Sequence, residues 1–407
     1  MDKFKLPELL CPAGDTERLE AALLFGADAV YLAGTHFGMR SAPANFTDEE
    51  LSCAVDACHR QGKSVYVTCN ILPRNGEIEQ MPSYLRFLDD LRVDALIVAD
   101  LGTMKLAQRY APHCALHVST QLGVVNYATA AMLHEMGASR VVLARELSLD
   151  EIAHIRAKTP RSLELEAFVH GAMCMSYSGR CLLSSYLTGR DSNHGDCAQP
   201  CRWKYELIEP SRPERPLTVD QEDNGTYLFN ANDLCMIEYL PQLHRAGIGS
   251  LKIEGRAKAA YYVAGVTNAY RQALDGYRDS GFSPDYRLPE WLSHEPYTVS
   301  HRPYGTGFYF GDPSQNTQSG GYVREYQAVA VVTGYEDGHL LLSQRNRFFK
   351  GDRLEALIPN EQPLSLSAHI LLNGDGQPID STPHPTMALR IPYDRPLPAG
   401  SYLRKRL

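Results

Sequence analysis

Short apolar runs alternate with stretches of helical period through the first 276 residues of the chain. Runs at residues 8–12, 29–33, 64–70, 95–100, 115–121, 140–146, 162–170 and 250–254 have the length of buried strands. Between them, TERLEAALLFG, DEELSCAVDACHRQG, NYATAAMLHEMG and DLCMIEYLPQLHRAG repeat apolar residues at helical spacing and end on a glycine, as a helix C-cap does. A partial repeat supports this register: GADAVYLAG, GASRVVLAR and GIGSLKIEG each set a helix-ending glycine, Gly26, Gly137 or Gly247, just ahead of a strand. Eight such units predict an α/β fold, a (β/α)8 TIM-like barrel over residues 1–277. An open doubly wound sheet is the alternative, but its first strand normally runs into G-x-G-x-x-G, and CPAGDTE follows here instead.

Strand alternation then assigns faces. In residues 162–170, Leu163, Leu165, Ala167 and Val169 face the helices, leaving Glu164, Glu166, Phe168 and His170 toward the axis. The same division points His117, Ser119 and Gln121, then Lys252 and Glu254, then Tyr66, Thr68 and Asn70 inward. Charges on an inner face must pair with one another or with a ligand. A structural ion-pair network is one reading, chiefly for Glu164. At the C-terminal strand ends, where barrel enzymes build their sites, Asn70, Gln121, His170, Glu254 and Arg256 are expected to serve an active site.

Composition narrows the setting. The chain has 407 residues, 44% hydrophobic and 22% charged, room for a barrel and one smaller domain. Its N-terminus, MDKFKLPELLCPAG, lacks a signal-peptide core, and no run approaches the ~18 apolar residues of a membrane span. A cytoplasmic enzyme is the expectation, with reduced cysteines. A net charge of −8 argues against indiscriminate binding of nucleic acid but leaves room for a local basic surface.

Four of the ten cysteines, Cys174, Cys181, Cys197 and Cys201, crowd into a Gly-, Ser- and Arg-rich stretch directly after the seventh strand, within a loop spanning 171–205. Thiolates are soft ligands, suited to iron–sulfur or zinc. Structural zinc prefers two tight Cys-x2-4-Cys knuckles, whereas six residues separate Cys174 from Cys181, so the spacing favours a [4Fe-4S] cluster. Zinc and unligated thiols remain alternatives, and Cys235 is a substitute fourth ligand. Neither a G-x-S-x-G elbow nor an H-E-x-x-H helix is present.

Beyond residue 277 a Pro-, Gly-, Tyr- and Ser-rich stretch, 278–322, reads as a connector wrapping the barrel, and residues 323–407 alternate like a small β-barrel domain. Arg345, Arg347, Phe348, Phe349, Lys350 and Arg353, with Arg404, Lys405 and Arg406 at the end, suit an RNA-contacting module. A plain β-domain with Phe348 and Phe349 in its core is the competing reading.

The segments ELLCPAG, GADAVYLAG, FVHGAMCMSYSGRCLLSSYLTGRDSNHGDCAQPCRW, NANDLC and SLKIEGRAKAAYYV resemble peptidase family U-32, the collagenase-like proteins, over essentially the whole chain. Within it the chain is most similar to the bacterial tRNA hydroxylation proteins, which form 5-hydroxyuridine at the wobble position without molecular oxygen and draw on prephenate. Relatives hydroxylate a cytidine of ribosomal RNA or the ring of a ubiquinone precursor. The resemblance implies a [4Fe-4S] cluster on Cys174, Cys181, Cys197 and Cys201, with tRNA and prephenate as partners. In that setting Glu166, His170 and Glu254 are the residues to move protons, and Arg40, Lys252 and Arg256, with Asn70, His117 and Gln121, are those to bind substrate. A peptidase, a non-catalytic RNA-binding scaffold, and an oligomer with itself or a related chain stay open.

Overall fold

The computed structural model describes residues 5–38, 45–174, 181–192, 195–203, 231–311, 313 and 321–407. Eight parallel strands close a barrel: β1 (Glu8–Pro12), β2 (Ala29–Leu32), β3 (Ser64–Cys69), β4 (Ala95–Val98), β5 (Ala115–Val118), β6 (Arg140–Val142), β7 (Glu164–Gly171) and, after a short strand β8 (Asp233–Cys235), β9 (Ser250–Ile253). Neighbours pair in sequence order from β1 to β7, and β9 closes the ring by pairing with both β7 and β1. All eight expected strands are present in the expected order.

The helices cover the outside: α1 (Thr16–Leu24), α2 (Asp48–Arg60), α3 (Asn75–Ile78), α4 (Met81–Asp90), α5 (Leu101–Tyr110), α6 (Tyr127–Glu135), α7 (Leu149–Lys158), α8 (Leu183–Thr188), α9 (Leu240–Arg245), α10 (Ala260–Asp279) and α11 (Glu290–His294). Their starts are written in side chains. Asp15, Thr47, Asp100, Asn126 and Ser148 each accept a hydrogen bond from a first-turn amide, which satisfies groups the helix itself cannot. Gly26, Gly137 and Gly247 adopt φ of 100°, 101° and 87°, left-handed values that turn the chain from helix to strand at little cost only without a Cβ. The outward strand residues and the helix faces form the main core, which includes Leu9, Val30, Val67, Leu96, Val141, Leu165 and Leu251. A smaller apolar set, Leu10, Ala29, Tyr31, Tyr66, Ala95 and Ile97, fills one side of the barrel interior.

One expected helix is shorter than its pattern. Residues 233–235 of DLCMIEYLPQLHRAG form β8, antiparallel to the end of β7, and the helix proper begins at Leu240 beside Pro241. The cause is tertiary: Asp233 is buried and takes Arg302 through Nε at 2.9 Å and Nη2 at 2.6 Å, which holds this stretch extended against β10 (Tyr304–Gly305).

After α10 the chain passes through α11 and β10 into a seven-stranded antiparallel sheet: β11 (Tyr326–Glu336), β12 (His339–Gln344), β13 (Arg353–Leu357), β14 (Leu364–Ser367), β15 (Leu372–Asn373), β16 (Ala388–Pro392) and β17 (Tyr402–Arg406), in the order 14-13-17-11-12-16-15. This half-barrel docks on α1 and α10 through Leu357 and Tyr402 against Ala21, Phe25, Ala260 and Ala264. Its basic and aromatic residues divide between core and surface. Phe348 is core and Phe349 is exposed, while Arg404 lies 2% exposed in the seam, bonded to Glu295, Glu355 and Thr298. Arg404 therefore joins the two domains and is not on offer to a phosphate; Lys405 pairs with Asp352 and Arg345 with Glu17.

Candidate active site at the barrel mouth

Beside that apolar set, the barrel interior carries polar side chains from floor to mouth. On the floor, Arg140 at the start of β6 sets its guanidinium against Glu8 and Glu164, both at 2.7 Å, and Glu166 at 3.0 Å. Burial alone would lower the Arg140 pKa, but Glu8 and Glu166 outweigh it and hold it raised. The other Glu166 oxygen accepts from Lys252 Nζ at 2.7 Å, and Ser250 Oγ donates to Glu8. Glu166 is 0% exposed. It and Lys252 meet as strand alternation requires, and each charge is answered by the other or by Arg140. His117 lies at the same depth, edge-on to the Tyr66 ring; burial first, then Arg140 and Lys252, hold its imidazole neutral.

Above this network sits Phe168, whose ring takes Lys252 Nζ at 5.5 Å and the Arg145 guanidinium at 3.8 Å. Arg145 lies just past the end of β6. Its Nη1 donates to the Ala172 carbonyl at 2.8 Å, and its Nη2 stands 3.9 Å from Glu254. Tyr31 on β2 donates its hydroxyl to Glu254 Oε2 at 3.4 Å. Across the mouth, Asn70 Nδ2 donates to Gln121 Oε1 at 2.7 Å, and Arg256 Nη1 donates to Thr68 Oγ1 at 3.3 Å. Asn70, Gln121, Glu254 and Arg256 thus gather at the C-terminal strand ends, as expected. Arg40 lies outside the described residues.

His170 departs from the alternation. Between Phe168 and His170 the register on β9 slips, so that Phe168 pairs with Lys252 and His170 with Ile253. A bulge at Val169 absorbs one residue and turns His170 to the outward side shared by Ile253. There the ring packs among Tyr262, Tyr270 and Tyr304, and burial pushes its pKa down to about 3. The inward placement of His170 is corrected accordingly. Arg140, Arg145 and Glu8 belong to the axis but were not singled out from the sequence. The available signal for Arg145 was a cation at the C-terminal end of a strand in GASRVVLAR.

The cysteine segment leaves from this mouth. Cys174 follows β7 and is exposed; Cys181 precedes α8, and Cys197 and Cys201 follow it. Ser184 Oγ on α8 accepts from Ala198 N at 2.9 Å, and Ser192 Oγ donates to the Cys181 carbonyl at 2.7 Å, tying the second and third cysteines into one substructure. Gln199, held at φ 57°, donates its amide to Cys197 Sγ at 3.3 Å. Amide donation to sulfur and incomplete burial are what a thiolate ligand needs. By contrast Cys11, Cys58, Cys69, Cys114 and Cys235 are each pushed up to about 12 by burial. The donor set fits a soft metal group, although among the described residues no three His, Cys, Asp or Glu side chains converge on a common point.

Comparison with known proteins adds a decisive observation: residues 14–319 match peptidase family U32, and residues 324–404 match the peptidase family U32 C-terminal domain. The chain belongs to peptidase family U32. This U32 protein is 37% identical over 408 residues to tRNA hydroxylation protein P1 of Bacillus subtilis, covering 98% of this chain and 95% of the relative. It is 35% identical over 433 residues to tRNA hydroxylation protein P of Escherichia coli, covering 95% and 94%. A 23S rRNA 5-hydroxycytidine synthase of E. coli is 39% identical over 268 residues, 66% of the U32 chain and 39% of the relative. Among the described residues no helix of this U32 protein is long and apolar enough to cross a membrane.

Proposed function

We propose that this U32 protein is an RNA hydroxylase acting on tRNA, forming 5-hydroxyuridine at the wobble position without molecular oxygen, with prephenate as co-substrate and a [4Fe-4S] cluster on Cys174, Cys181, Cys197 and Cys201. Two relatives that match almost end to end carry tRNA hydroxylation in their names, and a third, matching two thirds of the chain, carries RNA base hydroxylation. The structural observation that carries the reading is the bond from Arg145 to Ala172. It fixes the root of the cysteine segment, two residues before Cys174, to a cation of the barrel mouth. That link supports a reading in which anionic substrate and cluster ligands share one site.

A bound cluster would supply one-electron redox or Lewis-acid chemistry there. The chain's own residues do the rest. Arg145 and Arg256 bind anionic groups by charge-assisted hydrogen bonds. Glu254, positioned between Tyr31 and Arg145, holds or releases a proton at Oε2. Phe168 packs against Lys252, and the Lys252–Glu166 pair is buried.

Deleting the gene and measuring modified nucleosides in bulk tRNA tests the function. Loss of 5-hydroxyuridine and its derivatives is expected, and unchanged levels would remove it. Anaerobically purified protein should be brown with about four iron per chain; a colourless zinc protein would remove the cluster. Degradation of gelatin by the pure protein, abolished by Glu254→Gln, would move the conclusion to the peptidase of the family's description.

A further inference from the structure

Three buried polar atoms at the C-terminal strand ends have no hydrogen-bond partner among the described residues: Gln121 Nε2, Arg145 Nε and Glu146 Oε2. The two loops that carry them lie side by side. Thr120 Oγ1 donates to the Leu143 carbonyl at 3.1 Å, Val124 bridges Leu143, and Ala144 N donates to the Val124 carbonyl. An unsatisfied buried polar group costs about 1–3 kcal/mol, so orphaned donors on two adjoining loops at the strand ends mark a place where something else supplies the partners.

The chemistry of that partner can be read from the donors. Because Asn70 donates to Gln121 Oε1, the Gln121 amide is fixed with its nitrogen facing away from Asn70, and Gln121 presents only N–H donors. Arg145 Nε is a second donor and carries charge, while its Nη1 and Nη2 are committed to Ala172 and Glu254. Burial raises the Glu146 pKa against the lowering by backbone amides and the Arg145 charge, and this carboxyl disfavours a multiply charged ligand beside it. A set of donors with one compensating charge complements a planar, singly charged group with two acceptor oxygens. A phosphate dianion would meet Glu146 and Glu254 with no second cation from these loops to balance it. Of the other cations along the barrel axis, Lys252 is occupied by Glu166 and Arg256 donates to Thr68.

We propose that Gln121 and Arg145 form a binding site for the carboxylate of a small organic acid, with Arg145 Nε and Gln121 Nε2 donating to its two oxygens. The site deepens the hydroxylase reading and rests on it only for the choice of ligand, prephenate, as the probe. Equilibrium binding of prephenate to full-length, anaerobically purified protein tests it, beside a panel of other small carboxylic acids. Gln121→Glu, which turns donors into an anion, and Arg145→Gln are each expected to weaken binding by about tenfold or more, as losing a hydrogen bond to a charged group does. Arg278→Gln, on the exposed end of α10, should leave it unchanged. Since Arg145 also holds Ala172, the Gln121 variant carries the test if Arg145→Gln fails to fold. Binding retained within about twofold by a folded Gln121→Glu, or no binding of any acid by the wild type, overturns the site. Measuring tRNA 5-hydroxyuridine in parallel separates the claims. Hydroxylation without carboxylate binding sinks this inference alone, and Gln121-dependent binding without hydroxylation sinks the hydroxylase reading alone.

Discussion

At the scale of single residues, Glu166 and His170 show how burial sets behaviour. Glu166 answers two cations in the barrel centre, so Glu166→Gln leaves buried charge uncompensated and should cost about 3–5 kcal/mol in denaturant unfolding. Replacing the set with apolar groups, Glu166→Leu with Lys252→Met, should cost much less. His170 acts through pH. Its folded pKa is about 3 against about 6.5 in the unfolded chain, so between these values the unfolded state binds the extra proton. Stability from His170 is therefore complete above pH 6.5 and drains away as pH falls toward 3, by about 2 kcal/mol at pH 5. Thermal scans at pH 7.5 and pH 5 should show a smaller acid loss in His170→Gln than in the wild type. Neither behaviour was legible from a residue's own neighbours in sequence. The inward face of Glu166 followed from simple alternation, but its anchor Arg140 is an isolated arginine whose partners Glu8 and Glu164 come from other strands.

At the scale of elements, the eight strands were readable because each is a short apolar run, and β2, β3, β6 and β9 also follow a helix-ending glycine, local signals that need no tertiary knowledge. The bulge at Val169 and the strand β8 were not. A bulge is one extra residue that a period-2 pattern hides, and β8 exists because distant Arg302 holds Asp233. The turn into the cysteine segment depends on Gly171, at φ 105°, where a Cβ would collide with the Glu254 carbonyl oxygen. Gly171→Ala should destabilise by about 1–3 kcal/mol through strain and displace Glu254. A lowered melting temperature together with reduced iron retention is the expected outcome; iron kept at the wild-type level would detach the cysteine segment from the mouth.

At the scale of the whole molecule, the half-barrel is bound to the barrel by an apolar contact on α1 and α10 and by Arg404. Arg404→Met leaves Glu295, itself buried, without its cation and should lower stability by about 3–5 kcal/mol, measured by unfolding of the full chain. A barrel truncated at residue 322 bares Phe25, Ala260 and Ala264 and is expected to aggregate where the full chain does not. The basic tail looked like an RNA surface in sequence because composition cannot distinguish an arginine facing solvent from one facing a buried glutamate. The cysteine cluster was plain in sequence for the opposite reason, since its spacing is local. Gln121 and Asn70 were placed correctly at the mouth, but the bond between them spans two strands and only the folded chain reveals it.

The closing strand has a kinetic meaning. β9 pairs Ser250 with Glu166 on one side and with Glu8 on the other, so both of its seams join residues far apart in the chain. Such pairings form late, because loop-closure entropy must be met before they return any contact energy. Lys252 rides on that strand. Until β9 arrives, Glu166 has only Arg140 and the ring is an open sheet with two raw edges. Shutting the barrel and balancing its central charge are thus one event, and amide exchange along residues 250–253 should report when it happens.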